Sequence, residues 1–130
     1  MEKSGAGKKI LVVEDEASLL NVLRDELAAA GFEVFKAHDG EEGYKMALEK
    51  HPDLILIDVL MPKMDGITMF KNLRKQEGLK NVPGIILTNL NDTKTIEDAL
   101  ENGAYDFLVK SDWEPKNLVK RIQEKLGLAG

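Results

Sequence analysis

Five short apolar runs recur along this chain, and a stretch with helical character follows each one. No other feature narrows the folds open to it as much. The first run, Lys-Ile-Leu-Val-Val at Lys9–Val13, is too short for a helix and rich in β-branched residues, so it reads as a strand. Leu19, Leu20, Leu23, Leu27 and Ala30 then follow at helical spacing, and Gly31 is placed to end that helix. Residues 32–37, Phe-Glu-Val-Phe-Lys-Ala, alternate as a strand does. The next helix is expected over 38–51, with Asp39 and Glu42 spaced as a capping box and Pro52 behind its stop. Residues 53–57, Asp-Leu-Ile-Leu-Ile, are apolar on consecutive positions, which predicts a strand covered on both faces. Helices are expected over 66–78, 92–103 (ended by Gly103) and 115–127 (Pro115 in its first turn), with strands at 82–88 and 105–109 between them. Strands that alternate with helices at this spacing run parallel, joined by right-handed crossovers. The expected fold is an open, doubly wound α/β sheet of five strands and five helices, flavodoxin-like, in one domain over 9–127. Residues 1–8 and 128–130 are expected to be tails, the first flexible because of its Ser-Gly-Ala-Gly run.

Composition removes several function classes. The net charge is -5 and the sequence pI about 5.1, whereas direct nucleic-acid binding needs a clustered basic surface. Cysteine is absent, so neither a disulfide frame nor a thiolate metal site is available. No apolar run approaches the roughly 20 residues of a membrane span, and the N-terminus lacks the apolar core of a signal peptide. The expected location is the cytoplasm. Gly-Ala-Gly-Lys-Lys near the start is no phosphate-binding loop, because its glycines precede the first strand and Lys9 stands where Ser or Thr is needed.

Ligands of doubly wound sheets bind outside the carboxyl ends of the strands. The first run ends in Glu14-Asp15-Glu16, the third in Asp58, the fourth in Thr88, and the fifth passes Phe107 and ends at Lys110. Carboxylates gathered there repel: two charges about 4 Å apart cost on the order of 4 kcal/mol at an effective dielectric near 20. Lys110 neutralises one charge, and a hard divalent cation suits the others. Mg²⁺ takes one or two carboxylates and keeps several waters. Asp15 and Asp58 are the expected direct ligands, with Glu14 acting through water. A lone aspartate at a strand end is most often a turn or cap residue. Four strand ends supplying matched groups shift that balance. Asp65 keeps the ordinary reading as the start of the third helix, His38 and His51 that of surface residues, and Glu16 that of a helix-dipole partner.

Four motifs then coincide: Val-Val-Glu-Asp-Glu (12–16), Asp-Val-Leu-Met-Pro-Lys-Met-Asp-Gly (58–66), Ile-Leu-Thr-Asn (86–89) and Gly-Ala-Tyr-Asp-Phe-Leu-Val-Lys (103–110). In order, spacing and strand-end placement the chain resembles the receiver domain of two-component response regulators, from Lys9 to about Leu126. The resemblance implies that Asp58 is the nucleophile, taking a phosphoryl group from a histidine kinase, a phosphotransfer protein or a small donor such as acetyl phosphate. It implies Mg²⁺ on Asp15, Asp58 and the backbone carbonyl of Leu60, with Glu14 through water. Lys110 and Thr88 would contact phosphoryl oxygens, and Phe107 would turn inward behind Thr88 as the switch. The face of the fourth helix, fifth strand and fifth helix would meet a downstream protein, with a homodimer as one form of the phosphorylated chain. The function implied is that of a phosphorylatable switch and not an enzyme, a phosphoacceptor that catalyses only its own phosphorylation and dephosphorylation, without nucleic-acid or membrane contact of its own.

Some positions depart from the family pattern. Ser111 stands where proline usually follows the lysine. A cis bond before serine costs about 2.5–4 kcal/mol, so a trans bond and a differently shaped loop are expected. Asn89, Leu60 and Leu90 flank the phosphoryl position and crowd the path of water, which predicts slow self-dephosphorylation. Phe107 has no hydroxyl to offer a partner. The main rival is a receiver-shaped interaction module that is never phosphorylated, which a missing site residue would signal. Glu14, Asp15, Asp58, Thr88 and Lys110 are all present. A flavin binder would need a glycine- and hydroxyl-rich loop after the first strand, and an aspartyl-phosphate hydrolase a second Asp at Leu60. The sequence leaves open whether the chain stands alone or belongs to a longer regulator.

Overall fold

Leu54–Asp58 (β3) is buried at every residue, as the consecutive apolar run predicts. It is the middle strand of a five-stranded parallel sheet in the order β2-β1-β3-β4-β5. The other strands are β1 (Lys9–Val13), β2 (Glu33–Ala37), β4 (Gly84–Thr88) and β5 (Asp106–Val109). The described residues also form helices α1 (Ala17–Ala29), α2 (Gly40–Lys50) and α3 (Gly66–Arg74), a 3₁₀ turn (Glu77–Leu79) and a C-terminal helix (Pro115–Lys125). The structure is a computed structural model that describes residues 7–58, 66–88, 97, 101, 106–109 and 114–127. The strand order is that of the flavodoxin-like doubly wound fold. Of the helix expected over 92–103, Glu97 and Glu101 are described and both are helical. Residues 1–6 of the tail expected over 1–8, the start of strand five at Tyr105 and the expected tail at 128–130 lie outside the described residues; Gly7 and Lys8 of that tail are instead tied to the fold, the Gly7 N–H donating to the Gly31 carbonyl at 3.0 Å and the Lys8 carbonyl accepting the Glu33 N–H at 2.9 Å.

Alternate residues of β1, β3 and β4 feed two cores, one on each face of the sheet. Leu11, Val13, Ile55, Ile57 and Ile86 pack with Ala47, Met69, Phe70 and Leu73 from α2 and α3. Ile10, Val12, Leu54, Leu56, Ile85 and Leu87 pack with Leu20, Leu23, Leu27, Leu118 and Ile122 from α1 and the C-terminal helix. Runs without polar alternation are therefore required, because neither face of a central strand meets water.

The helix ends follow local chemistry. After α1, Gly31 takes φ 96 and the Phe32 N–H reaches the Leu27 carbonyl at 3.1 Å, a Schellman closure that glycine permits. At α2 the Asp39 carboxylate accepts the Glu42 N–H at 2.8 Å, the first half of the expected capping box. The Glu42 carboxylate lies 3.4 Å from His38 Nδ1. His51 closes α2 in the left-handed region at φ 48 and is exposed, with Pro52 behind it.

One helix is shorter than its sequence predicts. The expected span was 66–78, but α3 stops at Arg74 and Gln76 is extended at the start of the 3₁₀ turn. The break lets Leu79 turn back into the core. It is held by Arg74 Nη1, which donates to the Leu79 carbonyl at 3.0 Å, and by Gln76 Nε2, which donates to Tyr44 Oη at 2.8 Å. Arg74 also stacks 4.9 Å from the Phe70 ring centroid, and partial burial lowers its pKa. Asp53, expected to begin β3, instead binds the start of β1. Its carboxylate accepts the Lys9 N–H and its own N–H donates to the Lys9 carbonyl, both at 2.8 Å.

Candidate functional site

Val13 pairs with Ile57 in the β1–β3 register, so the next residues, Glu14 just past β1 and Asp58 at the end of β3, stand side by side at the edge of the sheet. The strand order reverses between these two strands, where such sheets open a crevice at their carboxyl ends. One carboxylate oxygen each from Glu14, Asp15 and Asp58 lies within 4.8 Å of the others. The three acids differ in exposure. Glu14 is fully buried at 0%, Asp58 is 6% exposed, and Asp15 is open to solvent.

Glu14 is fixed at both ends. Its N–H donates to the Ala37 carbonyl of β2 at 3.0 Å. Its Oε2 accepts the Glu16 N–H at 3.1 Å, which folds the 14–16 turn around the carboxylate. Glu16 occupies the N-cap position of α1, where its charge meets the positive end of the helix dipole as expected. Ser18 Oγ donates to the Glu16 carboxylate at 3.4 Å.

At separations of 4.8 Å or less, each carboxylate pair repels by roughly 3 kcal/mol or more at an effective dielectric of about 20. The donor set suits a hard cation. Mg²⁺ holds oxygen ligands at about 2.1 Å, so opposite ligands on one ion stand about 4.2 Å apart. Two of the acids can bind directly and the third through a water at this span. Asp15, Asp58 and Glu14 therefore fit the cation read from the sequence.

The remaining expected residues are placed by backbone alone or not at all. Leu87 pairs with Asp58, and Thr88 pairs with Val109, so the ends of β4 and β5 lie on the same edge as the acids. The side chains of Thr88 and Phe107 lie outside the described residues. So do Leu60, Asp65, Asn89, Leu90, Lys110 and Ser111, and with them the expected trans bond at 110–111. Sequence reading passed over Gly84 at the start of β4, although a glycine in a strand is itself a sign of close approach.

The model of the response regulator receiver domain matches residues 10–123. The chain belongs to the response regulator receiver domain family. A relative named as the probable transcriptional regulator ycf27 of Porphyridium aerugineum is 41% identical over 119 residues, covering 92% of this chain and 48% of the relative. The receiver domain thus spans about half the length of the curated relatives it matches. Chemotaxis protein CheY4 of Vibrio cholerae superposes with a TM-score of 0.85 at 34% identity, over 92% of this chain and 98% of that one. The receiver domain of sensor histidine kinase PA1611 from Pseudomonas aeruginosa PAO1 superposes at 0.83 with 32% identity, over 94% and 99%. That receiver holds a magnesium ion in its active site cleft. The present receiver domain is a module of two-component signalling with an acidic cluster at the switch point of its sheet. Among its described residues no helix is long and apolar enough to cross a membrane.

Proposed function

We propose that Asp58 is the phosphoacceptor of this receiver domain. The reading rests on one observation: Asp58 ends the central strand nearly buried, with oxygens of Glu14 and Asp15 within 4.8 Å. A carboxylate there is held rigidly by β3 and needs no general base. Asp58 Oδ attacks the phosphorus of a phosphohistidine or of acetyl phosphate. The P–N or P–O bond to the donor breaks, and its electron pair leaves with imidazole or acetate. The product is a mixed anhydride, which water hydrolyses, so the signal is temporary.

Phosphoryl transfer depends mostly on position and on neutralising oxygen charge. Bound by Asp15, Asp58 and the Leu60 carbonyl, with Glu14 through water, Mg²⁺ would supply part of that neutralisation. Lys110 supplies the other part, and Thr88 hydrogen-bonds a phosphoryl oxygen. Thr88 follows the new acceptor and leaves room for Phe107, which gives a two-state element biased by nearly two added charges. The donor is a histidine kinase or a phosphotransfer protein. The output face comprises the fourth helix, β5 and the C-terminal helix, read by a downstream protein or a second copy of the chain. The domain itself touches neither nucleic acid nor membrane and works in the cytoplasm, turning over no substrate beyond its own phosphorylation.

Mass spectrometry after incubation with Mg²⁺ and acetyl phosphate tests this. One phosphoryl group is expected on the unsubstituted chain and none on Asp58→Asn. A chain that gains no mass, and whose melting does not move with beryllofluoride, is an unphosphorylated interaction module instead. Following the adduct over time tests the crowded entrance of Leu60, Asn89 and Leu90, for which a half-life of seconds would be too short.

A further inference from the structure

Gly84 opens β4 with no side chain, and the ring of Phe70 lies where one would stand. A Cβ there would overlap Phe70 Cζ and stand 2.5 and 2.8 Å from Cε2 and Cε1. Non-bonded carbons rest about 3.5–4.0 Å apart, so the tip of the ring sits against the bare main chain of the strand. Phe70 is fully buried, in one core with Leu73, Leu79, Val82 and Ile86. Arg74 covers a face of the ring at 4.9 Å from its centroid, and its Nη1 holds the Leu79 carbonyl at 3.0 Å. At the strand, Gly84 pairs with Ile55, whose N–H donates to the Pro83 carbonyl at 2.9 Å.

These contacts join two stretches that the 3₁₀ turn separates. Arg74 fixes the exit of α3, Ile55 fixes the start of β4, and the Phe70 ring reaches both. We propose that Phe70 and Gly84 form a lock between α3 and β4, a ring seated on a bare glycine, which makes the α3 exit and the start of β4 open as one unit. The lock stands at the edge of the sheet opposite the acids. From it β4 runs to Thr88, so the strand is pinned at the end remote from the acidic cluster. Neither half of the lock needs metal or phosphate.

A size exchange tests the lock. Phe70→Leu leaves a hole over Gly84, and Gly84→Val overfills the same space. Neither change offends local structure, because leucine suits a helix and valine a strand. In urea unfolding each single variant should lower the folding equilibrium constant by about tenfold or more. The double variant should stand about tenfold or more above the level that the two losses multiplied would give, since valine fills what leucine vacates. Where Gly84→Val alone stays unfolded, a cooperative transition regained on adding Phe70→Leu is the same result. Amide exchange reads the unit itself. In Phe70→Leu, protection at Leu79 and Ile85 should fall together, about tenfold further than at Val12 in β1. Additive losses or a double variant that stays unfolded overturn the proposal. So do a Gly84→Val chain as stable as the unsubstituted one and protection that falls equally in β1 and β4.

Discussion

Glu14, Asp15 and Glu16 are three adjacent carboxylates that the fold puts to three uses. Glu14 is swallowed whole and bonded to the Glu16 N–H, Asp15 faces solvent beside Asp58, and Glu16 stands at the start of α1. Asp15→Asn removes one charge from the cluster without disturbing Glu14. In EDTA the variant should be more stable by about 1 kcal/mol, the pairwise repulsion discounted for the exposure of Asp15. Urea unfolding in EDTA measures that gain, and a Mg²⁺ titration of the same variant should show its affinity lost. The acids themselves were legible, since Glu14-Asp15-Glu16 together follow one apolar run and Asp58 follows another. Their division of labour was not, because three neighbouring acids look alike until strand parity and the 14–16 turn decide which one points inward.

At the scale of elements, capping chemistry was readable and helix length less so. Asp39 at α2 is the clear case, with its carboxylate 2.8 Å from the Glu42 N–H. Asp39→Ala should cost about 1 kcal/mol, seen as a lower urea midpoint with an unchanged slope. Periodicity ran α3 on to residue 78, but the helix ends at Arg74 because Leu79 is needed in the core beneath α2 and α3. Apolar spacing reports which face a helix buries. It does not report where the chain must leave that helix to bury the next residue. The Arg74–Leu79 and Gln76–Tyr44 bonds that stabilise the exit join residues whose pairing depends on how α2 and α3 meet.

For the molecule as a whole, the acidic cluster sets metal-free stability against function. Mg²⁺ that binds the folded chain alone should stabilise it by about 2.7 kcal/mol at 100 times its Kd. The melting temperature should therefore climb with Mg²⁺ in the unsubstituted chain and stay flat in Asp15→Asn, and EDTA should reverse the climb. Differential scanning calorimetry across a Mg²⁺ series checks it.

The sequence by itself determined the alternation of strands and helices, the two-faced burial of the central strand and the arrival of Asp58 and Glu14-Asp15 at strand ends. Those properties are local, fixed by apolar period, cap residues and β-branching. The tertiary structure decided the order β2-β1-β3-β4-β5, which sets Val13 beside Ile57 and so brings the acids within 4.8 Å. It also placed the Phe70 ring where a side chain at Gly84 would stand. That match comes from a helix packed on a strand that follows it in the chain, where the atoms that would collide belong to elements no local pattern connects.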